Sequence, residues 1–203
     1  MSETKKNITI GVGEWGFRAL PMREHFLIAK KFGFQWLEFG IGGDQVGRLS
    51  EAPDQNEIDE FKEMGTDFGI NTPFCCVEND FTLADADEHA AMVDKVKSQI
   101  QAAAACGATH VRLFAGFTPA GNVTGEIWGR MIDAFAQCDA LCEELGLLIG
   151  IETHGGIEFN DDGSATHINS VTTDATCLER LPVSYTHLRA HETPEHLLCP
   201  LML

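Results

Sequence analysis

The chain has 203 residues, 44% of them hydrophobic, which is enough for one domain with a real core. Asp plus Glu number 31 against 14 Lys plus Arg, a formal charge of −17, and such a surface repels nucleic acid and anionic membranes without excluding small substrates. No apolar run of about 18 residues is present, so no membrane-spanning helix is expected, and the first residues, Met1 to Asn7, lack the apolar region of a signal peptide. Of the 7 cysteines, Cys75 and Cys76 are adjacent and Cys138 and Cys142 share a helix face, with no metal-knuckle or redox spacing. They are expected to be reduced structural thiols in a cytoplasmic protein.

In chain order, strands alternate with helices at a repeat of roughly thirty to forty residues. Asn7 to Val12 reads as the first strand, and a helix follows from Pro21 through Lys31 with Gly33 as its stop. Phe34 to Ile41 is the second strand. The second helix, Asp54 to Phe68, has Ile58, Phe61 and Met64 at helical spacing and ends at Gly69. Ile70 to Val77 is the third strand. Asp85 to Cys106 is a long helix with Met92, Val93, Val96 and Ile100 as its apolar stripe and Gly107 past its end. Thr109 to Ala115 is the fourth strand. Thr124 to Leu145 is the fourth helix, carrying Ile127, Met131, Phe135, Cys138 and Leu145 and stopped by Gly146. A fifth strand ends at Glu152, and Ser170 to Leu181 is expected to be the fifth helix.

Five βα units in succession require a parallel sheet covered by helices. Alternation places Trp36, Glu38 and Gly40 opposite Leu37, Phe39 and Ile41, and His110, Arg112 and Phe114 opposite Val111 and Leu113. One face is apolar and the other mixed, the pattern of a barrel wall with helices outside and a polar mouth inside. No glycine-rich phosphate loop follows the first strand, which disfavours a dinucleotide-binding sheet. The expected fold is therefore α/β, a partial (β/α)8 TIM barrel with five units. A complete barrel takes about 250 residues.

After Pro182 neither strand nor helix period appears, and three of the 8 histidines fall in the closing residues. His191-Glu192-Thr193-Pro194-Glu195-His196 departs from the zinc-protease H-E-x-x-H pattern by one extra residue and a helix-breaking proline. The string Ser184-Tyr-Thr-His-Leu-Arg-Ala-His-Glu-Thr193 resembles translated sequencing-adapter read-through. Residues 1–182 are therefore expected to be the N-terminal part of the barrel, and 183–203 a non-native tail in place of further native chain.

The stretch Leu147-Leu-Ile-Gly-Ile-Glu152-Thr-His154-Gly-Gly156 concentrates the chemistry. A buried apolar strand ends in a carboxylate and an imidazole, where parallel α/β folds place their active sites. A carboxylate there must be paired or bound to a metal, and from the strand alone an ion pair and a metal ligand explain Glu152 equally. With the five-unit context, Gly150-Ile-Glu-Thr-His-Gly-Gly156 resembles the sugar phosphate isomerase/epimerase family, proteins with the xylose-isomerase-like barrel, over about residues 7 to 182. The resemblance implies a divalent metal (Mn, Mg, Co or Zn) held by Glu, Asp, His and Glu at the ends of strands five to eight. Glu152 matches the first ligand; the other three have no counterpart in this chain.

The resemblance further implies a small carbohydrate substrate and an enediolate intermediate. Glu152 is then ligand and base, and Glu158 matches a substrate-contacting glutamate of some ketose epimerases. His154 is a candidate for binding substrate or orienting Glu152, or a loop histidine satisfied by backbone. Glu38 is a candidate for a sugar hydroxyl or for an ion pair with Arg112, and Arg112 for an anionic group or a structural pairing. Trp15 is a candidate to close over a sugar face or to pack its own loop. His25, His89 and His167, on helices or a loop, are expected at the surface. A dehydratase of the same barrel family and an inactive open barrel fragment are the alternatives; an endonuclease is disfavoured by the acidic charge. A homo-oligomer is left open.

Overall fold

The structure, a computed structural model, describes residues 10–184. Its element order is β1 (Gly11–Val12), α1 (Met22–Phe32), β2 (Trp36–Ile41), α2 (Gln55–Phe68), β3 (Asn71–Val77), α3 (Ala86–Ala105), β4 (His110–Phe114), α4 (Gly125–Leu145), β5 (Leu148–Glu152), β6 (Gly156–Phe159), β7 (Ala165–Ile168) and α5 (Ala175–Ser184). Strands β1 to β5 form one parallel sheet in sequential order. Right-handed crossovers between consecutive neighbours put every helix on one side. A doubly wound sheet would reverse its strand order at a switch point. The architecture is that of a partial TIM barrel.

Local chemistry sets the helix ends. Asp54 accepts from the Glu57 N–H at 2.9 Å, Asp85 from the Asp87 and Glu88 N–H groups, and Thr124 from the Ile127 N–H, each cap stabilising its helix by about 1 kcal/mol. Gly33, Gly69 and Gly146 close α1, α2 and α4 in the left-handed region, at φ of 77°, 67° and 71°. Pro73 lies inside a central strand. It cannot donate to the ladder, and the β2–β3 register slips there, from Trp36 opposite Asn71 to Glu38 opposite Phe74.

The core fills the space between sheet and helices. Leu37, Phe39 and Ile41 of β2, Cys75 and Val77 of β3, and Val111 and Leu113 of β4 are fully buried against Phe61, Ile100, Met131 and Phe135. Phe39 packs on Phe61 at 4.5 Å between ring centroids, and Phe81 meets Phe135 edge-on at 5.2 Å. The opposite sheet face is mixed, as alternation predicts. Leu148 at its β5 end is 52% exposed.

Several expectations are revised. Residues 7–9 of the expected first strand and 185–203 of the expected tail lie outside the described residues, as does the His191–His196 string. Between β5 and α5, a stretch to which the sequence assigns no strand, Gly156–Phe159 and Ala165–Ile168 form an antiparallel hairpin. Its turn is closed by the Gly163 N–H bonding to Asn160 O and the Asn160 N–H to Ser164 O, both at 2.9 Å. The fifth helix starts at Ala175, because Ser170 to Asp174 form a hydroxyl-bonded turn, and it runs through Ser184. His25 and His89 are buried, not at the surface. His25 faces inward from α1 and its Nε2 lies 3.0 Å from Phe17 O and 3.1 Å from Leu20 O. His89, one turn into α3, packs against Phe81. His167 is exposed, on β7. Leu145, at the end of α4, is also exposed; Trp128 and Cys142 complete that helix's buried stripe.

Candidate active site at the mouth of the sheet

The C-terminal strand ends carry two ion networks. In the first, Arg112 of β4 donates from Nε to Glu38 of β2 at 2.8 Å and forms an ion pair through Nη1 with Glu152 of β5. Alternation puts all three on the mixed face, and Arg112 stands in register with Cys76, which is small, and Gly150, which has no side chain, leaving room for the guanidinium. In the second network, Arg48 from the β2–α2 loop donates to Glu14 from Nε (3.1 Å) and Nη2 (2.6 Å) and to Glu78 from Nη1 (2.8 Å). Arg48 also reaches Gly42 O and Cys76 Sγ. Its side chain is 3% exposed and Glu14 is fully buried. Burial opposes its charge, but the Glu14 hydrogen bonds and the neighbouring Cys76, Glu14 and Glu78 raise its pKa on balance.

Cys76 joins the two networks. Burial pushes its thiol up to about 11, although Arg112 and Arg48 both pull it down. Four carboxylates thus face two guanidiniums across the mouth, an acidic surface suited to hydroxyl donors and cations.

His154 extends the first network. Its Nδ1 lies 3.6 Å from Glu152 Oε1, too long for a hydrogen bond. The ring meets Phe114 and Phe117 edge-on at 5.1 and 5.5 Å. Phe114 is fixed in turn by Asn79, whose side chain donates to Phe114 O and accepts from the Phe114 N–H, each at 2.8 Å. Asn79 therefore continues the β3–β4 ladder one step beyond β3.

Sequence reasoning named Glu38, Arg112, Glu152, His154, Glu158 and Trp15. The first four come together. Trp15 lies in the short 3-10 turn Glu14–Phe17 after β1, half-exposed, with the Arg18 guanidinium 4.7 Å from its ring centre. Glu158 stands exposed on β6, paired with Thr166 of β7, away from the Arg112 network. Glu14, Arg48 and Glu78 were missed. Glu14 and Glu78 stand within two residues of the ends of strands one and three, so the rule that singled out Glu152 would have found them. Arg48 sits far beyond its strand and carries no local signal.

Among the described residues no three His, Cys, Asp or Glu side chains converge as a metal site. Glu152 offers one carboxylate, already bonded to Arg112. The described residues do not compose a metal centre.

The sequence profile of the family described as "Xylose isomerase-like TIM barrel" matches residues 26–174. The chain belongs to the xylose isomerase-like TIM barrel family. No curated protein matches it. Among solved structures, the probable 3-DHS dehydratase AsbF of Bacillus anthracis is similar at a TM-score of 0.63 and 14% identity, over 89% of this chain and 60% of that one. The 3-keto-D-glucoside 4-epimerase YcjR of E. coli aligns at 0.62 and 14% identity, over 89% and 65%. D-Psicose 3-epimerase, solved in the presence of D-fructose, aligns at 0.59 and 12% identity, over 86% and 60%. The IOLI protein, solved with a zinc atom, aligns at 0.57 and 14% identity, over 71% and 51%. This chain thus spans between 51% and 65% of these structures. At such identities the likeness establishes the fold alone; this xylose isomerase-like barrel has epimerase and dehydratase neighbours.

Proposed function

We propose that the chain carries the acid–base carboxylate of a sugar isomerase or epimerase, with a small carbohydrate as substrate and Glu152 as the proton-exchanging group. The observation that supports this is the placement of Glu152: at the end of β5 on the mixed face, bonded to Arg112 and flanked by His154. Glu152 takes the proton from the carbon beside the sugar carbonyl, and the released electron pair moves onto the carbonyl oxygen, giving an enediolate. The Arg112 guanidinium supplies positive charge close to that developing oxyanion. Return of the proton to the former carbonyl carbon, as the hydroxyl proton passes to the oxyanion, isomerises the sugar; delivery of a proton by a second acid on the opposite face epimerises it. Glu38 and His154 are proposed to exchange hydrogen bonds with substrate hydroxyls, and Trp15 to cover a sugar face. The divalent cation implied by the family would draw on Glu152 from this chain. The buried free thiols support a reducing, cytoplasmic setting.

The test incubates the full chain, with and without divalent cations, in deuterated water with D-fructose, D-psicose, their phosphates and keto-glucosides. Deuterium entering the carbon beside the carbonyl supports the reading, and Glu152→Gln should reduce that entry by roughly 10²-fold or more. Equal exchange by the variant overturns it. Loss of water instead of exchange assigns the dehydratase reaction.

A further inference from the structure

His154 is two residues past the end of β5, so the sheet leaves its main-chain groups without ladder partners, and both must be satisfied elsewhere. They are satisfied from across the hairpin. The His154 N–H donates to Thr172 Oγ1 at 3.1 Å, and the Ser170 hydroxyl donates to His154 O. Ser170 and Thr172 are each 2% exposed, and their hydroxyl oxygens lie 3.4 Å apart. The clamp is itself rigid: the Ser170 N–H donates to Thr173 Oγ1 at 2.9 Å, and the Thr173 and Asp174 N–H groups bond back to Ser170 O. On the other flank, the Ala120 N–H donates to Asn169 O at 2.8 Å, tying the clamp to the β4–α4 loop.

We propose that Thr172, with Ser170, is a positioning residue of the site. The pair grips His154 by its backbone and so sets the imidazole between Phe114 and Phe117, against Glu152. The inference rests on the reading of Glu152 as the reacting carboxylate, and adds the element that orients its neighbour. Nothing in the local sequence Ser170-Val-Thr-Thr173 announces this, because it reads equally well as the cap of the following helix.

The test compares the full chain with Thr172→Val, which keeps the shape and removes the acceptor, and with Thr172→Ser, which keeps the oxygen. Amide hydrogen exchange at His154 should be about tenfold faster in Thr172→Val and near wild type in Thr172→Ser. A purely structural role would be matched by slower or faster exchange alone, so a second readout is taken. In the wild-type and Thr172→Ser backgrounds, Glu152→Gln should shift the His154 ring resonances; in Thr172→Val that shift should vanish. A His154 ring that still senses Glu152→Gln in Thr172→Val overturns the proposal. If instead Glu152→Gln leaves sugar deuteration intact while Thr172→Val uncouples the ring, the clamp stands and the reading of Glu152 falls.

Discussion

Arg112 on β4 donates from Nε to Glu38 on β2 at 2.8 Å, reaching across β3 to a strand that is not its neighbour. The same guanidinium holds Glu152 on the other side. One cation thus sets the separation of two carboxylates on β2 and β5, three strand positions apart in the barrel wall. Replacing it leaves both partly buried carboxylates without their donor. Arg112→Met is expected to cost about 2 kcal/mol of stability, since hydrogen bonds to charged groups contribute about 1.5–3 kcal/mol. Arg112→Lys should recover less than half, because a single ammonium cannot fork to both partners. Urea unfolding followed by circular dichroism measures this; an unchanged midpoint in Arg112→Met would mean the triad is energetically idle.

Gly40 is needed for space. A Cβ there would overlap the Arg48 side chain, which cannot yield because Glu14 and Glu78 hold it in a buried slot. Gly40→Ala is expected to destabilise by about 1–3 kcal/mol, as overpacking does. A Cβ on exposed Gly129, within α4, meets nothing within 4 Å, so Gly129→Ala should stabilise by about 0.5–1 kcal/mol through helix propensity. Opposite signs in parallel melts check the pair.

Burial lowers the His89 imidazole pKa, and the nearby Arg130 charge adds to the effect against the opposing pull of Asp80 and Asp133. The unfolded chain therefore binds this proton more readily than the folded one. Stability is expected to be fully present above the ordinary imidazole range of about 6.5 and to fall as pH drops through it. The comparison is between wild type and His89→Met in urea melts at pH 7.5 and 5.5, set as about one unit either side of that range. An equal pH dependence in both chains would assign the loss to other groups.

Cys138 and Cys142 are pushed up to about 12 by burial, Cys106 to about 11, and Cys75 upward as well. As thiolate is the reacting form, these four and Cys76 should resist iodoacetamide at neutral pH in the folded chain and label promptly in denaturant. Mass mapping of the labelled peptides reads the outcome; rapid native labelling of Cys138 would contradict its place in the core.

Much of the barrel wall was legible in sequence because its causes are local. Periodicity separates Leu37, Phe39 and Ile41 from Trp36, Glu38 and Gly40, and capping residues such as Asp54 and Asp85 act on N–H groups two or three residues away. The hairpin has a weaker signal, alternation in Ile157-Glu-Phe159 and Asp162-Gly163 at its turn, set inside a βα unit whose period hides it. His25 and His89 were misplaced for a different reason. A helix position reveals its face only when its neighbours do, and both histidines sit near helix starts where the stripe is short.

The site divides the same way. Sequence alone identified Glu152 and His154 at a strand end, set Glu38 and Arg112 on the same face, and gave the acidic balance. These follow from the two-residue repeat of a strand and from net charge, which need no folding to evaluate. Only the tertiary structure decided that Arg112 unites Glu38 with Glu152, that Arg48 locks Glu14 to Glu78, and that Ser170 and Thr172 grip His154. Those pairings join residues 16 to 74 positions apart, and distance along the chain carries no sign of them until the sheet brings its strand ends to one rim.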